Sequence, residues 1–182
     1  LKTWIPYWDA FLDALLWCEG QGDGLQVLGC PACNIPGESS VYCCNECFFD
    51  ELICKGCCLH WHARLPFHHV KEWKGLHFKA VALANLGLCV QLNHASDEQD
   101  VCPSPKAGLS NFIVLHVNGL HSVNIIFCGC SKTCSVLNQL LQHGLFPTTV
   151  QQPQTCSTFQ LLHYFHLQSI QLKVSTIHFY QA

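Results

Sequence analysis

Eight residues of metal-ligand type fall in one ordered series: Cys30-x2-Cys33, Cys44-x2-Cys47, Cys54-x2-Cys57, then His62 and His68. A Cys-x2-Cys pair wraps two thiolates onto one face of an ion through a tight turn. Zinc takes four thiolate or imidazole ligands in a tetrahedron, so eight ligands match two ions. Phe48, Phe49, Leu52 and Ile53 are the expected apolar core between the two sites. A module that small cannot fold on such a core alone. Structural zinc contributes about 10–16 kcal/mol to folds of this kind, enough to supply the deficit.

Two pairing schemes are open. In cross-brace folds of the B-box, ZZ and RING types the first and third pairs share one ion. That joins Cys30, Cys33, Cys54 and Cys57, and leaves Cys44, Cys47, His62 and His68 for the second. A sequential scheme joins the first pair to the second and the third pair to the histidines. The cross-brace is the preferred reading. Cys43, Cys58, His60 and His69, which neighbour the ligands, are read as small buried residues or as groups that orient the ligands.

The whole chain of 182 residues holds 15 Cys and 12 His. A disulfide scaffold has no use for histidine, and an odd count leaves one thiol over. Metal binding is therefore the better account, and with it a reducing compartment. Only 12% of residues are charged against 49% hydrophobic, with mean hydropathy +0.20. That composition excludes a disordered tail. No apolar run reaches the ~18 residues of a membrane span. The nearest, residues 80 to 92, is short and broken by Asn85 and Gln91. The chain opens with neither a leader-like segment nor Met, and reads as a piece of a longer protein.

The organisation predicted is α+β, in three parts. Residues 1–26 hold an amphipathic helix and a Gly-rich linker. The stripe Trp8, Phe11, Leu12, Leu15 has helical spacing and is read as a core face rather than a partner-binding one. Residues 27–75 are the two-zinc cluster, a small zinc-stabilised cross-brace module. Residues 76–182 form an α+β region: a helix over 76–86, a strand over 88–92, a loop over 95–110, a hairpin over 112–128, a helix over 133–143, and a last helix from a Ser157-x-x-Gln160 capping box. With Asn118-Gly119 as the hairpin turn, His116 faces His121 across the strands, a stacked pair rather than a metal site. A third zinc site is expected from His94, Cys102, Cys128 and Cys130, with Cys89 and His121 as substitutes.

The order of these features resembles the CxC-type cysteine cluster domain associated with KDZ (Kyakuja–Dileera–Zisupton) transposases. The residues that carry the resemblance are spread along almost the whole chain. They include Cys30-Pro-Ala-Cys33, Cys44-Asn-Glu-Cys47, Leu52-Ile53-Cys54-Lys-Gly-Cys57, Pro66-Phe67-His68 and Trp73. Downstream they include Leu86-Gly87-Leu88, His94, Cys102, Gly119-Leu120-His121, Phe127-Cys128-Gly-Cys130, Gln139-Leu-Leu141, Phe146-Pro147-Thr148 and Thr158-Phe159. Two positions depart from the pattern: Cys43 where a basic residue is frequent, and Asn93 where Gly is usual. The resemblance implies a non-catalytic zinc-bearing accessory region, ending before a transposase core, in a nuclear protein. Its implied partners are transposon DNA or the transposase's own core.

Charge bears on that implication. Nine basic against twelve acidic residues give −3. A four-thiolate zinc site adds −2, and a site of two thiolates and two neutral imidazoles adds nothing. Non-specific DNA affinity comes mainly from cations on phosphates. The cations are nonetheless clustered: Lys55, Arg64, Lys71, Lys74 and Lys79 lie within 25 residues that hold one acid, Glu72. They are the candidate nucleic-acid contacts. The alternatives are a protein-interaction or chromatin-reading module and, less in keeping with two terminal His ligands, a RING-like ubiquitin ligase. Ligand sets that close at four leave no open position for catalysis.

Overall fold

The computed structural model describes residues 3–22, 29–36, 39, 41–48, 51–93, 102–108, 111–130, 135–173 and 175. It is mixed α+β, in two compact units, Leu1–Leu86 and Gly87–Ala182.

In the first unit a 3-10 turn at Ile5–Tyr7, with Pro6 in its opening positions, leads into α1 (Trp8–Glu19). The helix forms where the periodicity predicts it, but its apolar stripe is not a core face. Every residue from Trp8 to Glu19 is exposed, Trp8 by 66% and Leu15 by 61%. Its aromatic residues pack along the helix itself: Phe11 lies 5.6 Å from the Trp4 ring and 6.4 Å from that of Tyr7.

The rest of the unit is β1 (Tyr42–Cys44), α2 (Lys55–Trp61), β2 (Val70–Trp73), β3 (Phe78–Val81) and α3 (Leu83–Leu86). The three strands form an antiparallel sheet in sequence order, with Cys44 opposite Val70, Lys71 opposite Ala80 and Trp73 opposite Phe78. Residues 76–86 are thus a strand end followed by one helical turn, not a continuous helix. Their composition suits a helix, but pairing with β2 decides the matter, as tertiary context overrides propensity. Leu52, Ile53, Cys58, Val70, Leu83 and Leu86 are buried. Phe48, expected among them, is 93% exposed; Phe49 lies outside the described residues.

The second unit is built on one six-stranded sheet: β4 (Cys89–Gln91), β5 (Pro105–Ala107), β6 (Phe112–His116), β7 (Gly119–Cys128), β8 (Leu145–Pro147) and β9 (Thr155–Thr158). Helix α4 (Val136–Gln142) packs against β8, and α5 (Phe159–Leu172) against β9 and β6. The long strand β7 carries β6 on one edge. On its other edge β4 and β5 lie end to end, β4 parallel against Asn124–Ile126 and β5 antiparallel against Ile126–Cys128. The loop expected over 95–110 therefore contains a strand, recruited by the open edge of β7. Alternation along β6 and β7 sends Phe112, Val114, Val123, Ile125 and Phe127 to one buried face. Each such side chain contributes about 1.5–3 kcal/mol on burial.

The hairpin register differs from expectation. His116 pairs with Gly119 and Val114 with His121, so Val117-Asn118 makes the turn and Gly119 opens β7. Gly119 has φ +137°, a conformation side chains rarely adopt, which is why the glycine follows the turn instead of sitting inside it. His116 and His121 still share a face and meet edge to face at 6.2 Å. Nδ1 of His116 bonds the Thr158 hydroxyl at 2.9 Å. The last helix is capped by Thr158, whose Oγ1 accepts from the Leu161 N–H, not by Ser157, which still belongs to β9.

Candidate metal centres

Among the described residues, three groups of side chains place their ligand atoms within 4.8 Å of one another: Cys30, Cys33, Cys54 and Cys57; Cys44, Cys47, His62 and His68; and Cys102, Cys128 and Cys130. Every described cysteine is a free thiol. A tetrahedral ion with ~2.3 Å bonds to sulfur and ~2.05 Å bonds to nitrogen separates two sulfurs by about 3.8 Å and a sulfur from a nitrogen by about 3.6 Å. Those are the separations found. Cys33 Sγ lies 3.9 Å from Cys54 Sγ. Cys47 Sγ lies 3.6 Å from His62 Nε2 and 3.6 Å from His68 Nδ1, and Cys44 Sγ lies 3.3 Å from His68 Nδ1. Disulfide sulfurs would stand ~2.05 Å apart. The donors present thus fit a tetrahedral ion in each four-residue set.

Local structure explains how these atoms converge. Cys54 is the N-cap of α2, its Sγ accepting from the Cys57 N–H, and its own N–H donates to Cys30 Sγ at 3.2 Å. Burial works against ionising Cys30, but the N–H groups of Cys54, Cys33 and Ala32 outweigh it and bring the thiol down to about 6. Burial and the thiols of Cys54, Cys33 and Cys30 push Cys57 the other way. Thiols packed this closely cannot all ionise unless they share a cation.

The second set is built at the other end of α2. His62 is its C-cap, and Nδ1 donates to the Cys58 carbonyl at 2.8 Å, leaving Nε2 to face Cys47. A carbonyl only accepts, so the tautomer follows, and this is how ligand imidazoles are normally oriented. The Cys44-x2-Cys47 turn is fastened from outside: the Asn45 N–H donates to the His69 carbonyl, and the His69 N–H and Nδ1 both meet the Glu46 carboxylate. Without an ion, burial disfavours a charged His62, but the Cys44 and Cys58 thiols and the Cys58 carbonyl carry it up to about 11, so an ion at Nε2 would have to displace a proton there. Cys43 and Cys58 are buried outside both sets, and His60 is exposed.

The third group closes at the end of β7. Cys102 Sγ lies 3.4 Å from Cys128 Sγ and 3.6 Å from Cys130 Sγ. Gly129 lets the loop bearing Cys102 approach: its N–H donates to the Ser104 carbonyl at 2.8 Å, and a Cβ there would meet that oxygen at 2.7 Å. His94 lies outside the described residues. Of the substitutes, Cys89 is exposed and pairs with Asn124, four residues short of Cys128. His121 is seven residues from Cys128 along β7, roughly 23 Å in an extended strand, and bonds Asn118 instead. Asn93 has φ +64°, the left-handed region that glycine and asparagine share, which accounts for Asn where the family pattern has Gly.

One positioning residue is visible in the sequence only as part of the family-like stretch Gln139-Leu-Leu141, which gives it no role. Gln139, on α4, is 2% exposed. Its Oε1 accepts from the Cys128 N–H and its Nε2 donates to the Cys128 carbonyl, both at 2.9 Å. The side chain acts as a missing strand for one residue. Gln139→Leu should cost on the order of 1–3 kcal/mol for each backbone group left unpaired. It should also loosen metal held at Cys128; thermal unfolding with metal retention during dialysis measures both, and unchanged values would refute the role.

The proposed nucleic-acid contacts do not gather on one surface. Lys55 opens α2, and Arg64 follows it; both are exposed. Lys71 and Lys79 project from opposite faces of the β2–β3 pair, and Lys74 Nζ is bound to Glu72 Oε1 at 2.6 Å.

No helix of the described residues is long and apolar enough to cross a membrane. The chain matches no curated protein and no solved structure. Residues 83–182 match the family described as CxC2 like cysteine cluster associated with KDZ transposases. The match holds the Cys102–Cys128–Cys130 group and the whole six-stranded sheet, and starts downstream of the two four-residue sets. The resemblance read along almost the whole chain is thus matched over its C-terminal part. That part is 100 of the 182 residues, more than half, and the chain belongs to the CxC2-like cysteine cluster family associated with KDZ transposases.

Proposed function

We propose that this chain is a zinc-binding, non-catalytic accessory region of a KDZ-type transposase that helps hold DNA or the transposase complex in the nucleus. The observation that carries the reading is the ligand spacing: two sets of four donors, half of them buried, at tetrahedral-edge distances, in a chain of a transposase-associated family. A mixed set of two thiolates and two imidazoles favours zinc over harder ions. Closed sets of four suit structure, since a catalytic zinc keeps a position for water or substrate. Three ions are proposed, the third on Cys102, Cys128 and Cys130 with His94.

DNA contact is assigned to the 55–79 segment. Replacing Lys71, Lys74 and Lys79 with Glu should abolish binding to a transposon-end duplex. In the parent chain, log affinity should fall with log salt in proportion to the phosphates neutralised. A triple variant that binds as the parent does would remove DNA contact from this segment.

A second reading, docking of a protein partner, is favoured by one observation. Helix α1 presents Trp8, Phe11, Leu12 and Leu15 to solvent, a patch of the kind that marks interaction sites.

A further inference from the structure

We infer that the β2–β3 end of one face of the β1–β2–β3 sheet is a stacking platform for an unpaired nucleobase of a single strand. The inference rests on the DNA-binding reading and makes its ligand specific.

By strand alternation and register, Cys43, Lys71, Trp73, Phe78 and Ala80 share one face, buried at Cys43 on its β1 side, while Val70, Glu72 and Lys79 share the other. On the first face Trp73 and Phe78 meet edge to face, 4.9 Å between centroids at 67°. Lys71 Nζ stands over the Phe78 ring at 4.6 Å. All three are half-buried, and Ala80, the strand partner of Lys71, is exposed, so the face is accessible from that edge. Beyond it the turn 74–77 exposes Lys74, Leu76 and His77.

Three arguments select the ligand. The single acid of the segment, Glu72, lies on the opposite face and is bound to Lys74, so no carboxylate of the segment repels a phosphate here. The aromatic pair already carries its own cation, which disfavours a methylammonium guest and favours a π-face joined to an anion. One cation beside two rings is poor equipment for clamping a duplex, which takes several phosphate contacts. It is good equipment for a single strand, whose bases stack on aromatic side chains while the backbone meets a nearby positive charge.

The test uses the zinc-loaded chain with a thymidine dodecamer and a duplex of the same length, read by tryptophan quenching and anisotropy. The single strand should bind more tightly than the duplex. Base stacking on an aromatic side chain is worth roughly 5- to 100-fold in affinity, so Trp73→Leu and Phe78→Leu should each lose about tenfold for the single strand, while Trp73→Phe stays within about threefold of the parent. The leucine variants keep apolar bulk; unchanged metal content and circular dichroism establish that they remain folded. Equal binding of both DNAs, unmoved by Trp73→Leu, would overturn the platform and leave the cationic reading standing. Binding of the duplex alone would do the same. Binding of neither would overturn both.

Discussion

Chelation of the metal-loaded chain is expected to melt the first unit as a whole. Its stability has few other sources. Its buried residues are a short set, and two of its three strands are only four residues long and the third three. Removing ions worth about 10–16 kcal/mol each exceeds the 5–15 kcal/mol that holds a typical domain together. Hydrogen exchange over residues 41–86 should rise to that of an unfolded chain once the metal is gone. Cys30→Ser and Cys54→Ser should be equally damaging, because their sulfurs lie in one set. Cys43→Ser is the control: the residue is 4% exposed but lies in neither set, so it should retain metal. A native-like first unit after complete metal removal would overturn the expectation.

Metal analysis of the purified chain should find three ions, falling to two when Cys128 and Cys130 are both changed to Ser. Cys102, Cys128 and Cys130 supply three donors, and a fourth completes a closed tetrahedron. Such a third ion would hold a loop, not a whole unit. The second unit has a core of its own, with Phe112, Val114, Leu140 and Cys156 at most 1% exposed. Burial pushes the Cys156 thiol up to about 12, so it sits there as an inert apolar group. The double serine variant should therefore lose one ion and the order of residues 102–108 while the sheet persists. Two ions in the parent chain would refute the third site.

The contrast in how much could be read beforehand follows from the range of the interactions. Cys-x2-Cys spacing is local, and the residues it singled out are those the structure brings together. The turn at Asn118-Gly119 was legible as a hairpin but not in its register, because the sheet, not the dipeptide, decides which residues oppose. Residues 76–86 look helical by composition, yet β2 claims four of them, Phe78–Val81, as a strand. The parallel pairings of β4 with β7 and β6 with β9 join segments more than thirty residues apart and leave no periodic trace. Gln139 stands out only as part of the family-like stretch; its role is invisible for a related reason, since a polar residue on a helix gains its meaning only when a strand end with two unpaired groups arrives beside it. The exposure of α1 could not be read either, since an amphipathic stripe predicts a helix without saying what lies against it.

Helix α2 runs from one ligand set to the other, with Cys54 and Cys57 at its start and His62 at its end. From Cys54 to His62 that is about 12 Å of helix. With ions in both sets, a pull on the two ends of this segment would travel from Cys30 through the first ion, along α2, and through the second ion to His68. The backbone path from Cys33 to Cys54 would be bypassed while the coordinate bonds bear the load. Such a joint would yield by rupture at a ligand, not by gradual stretching of the chain.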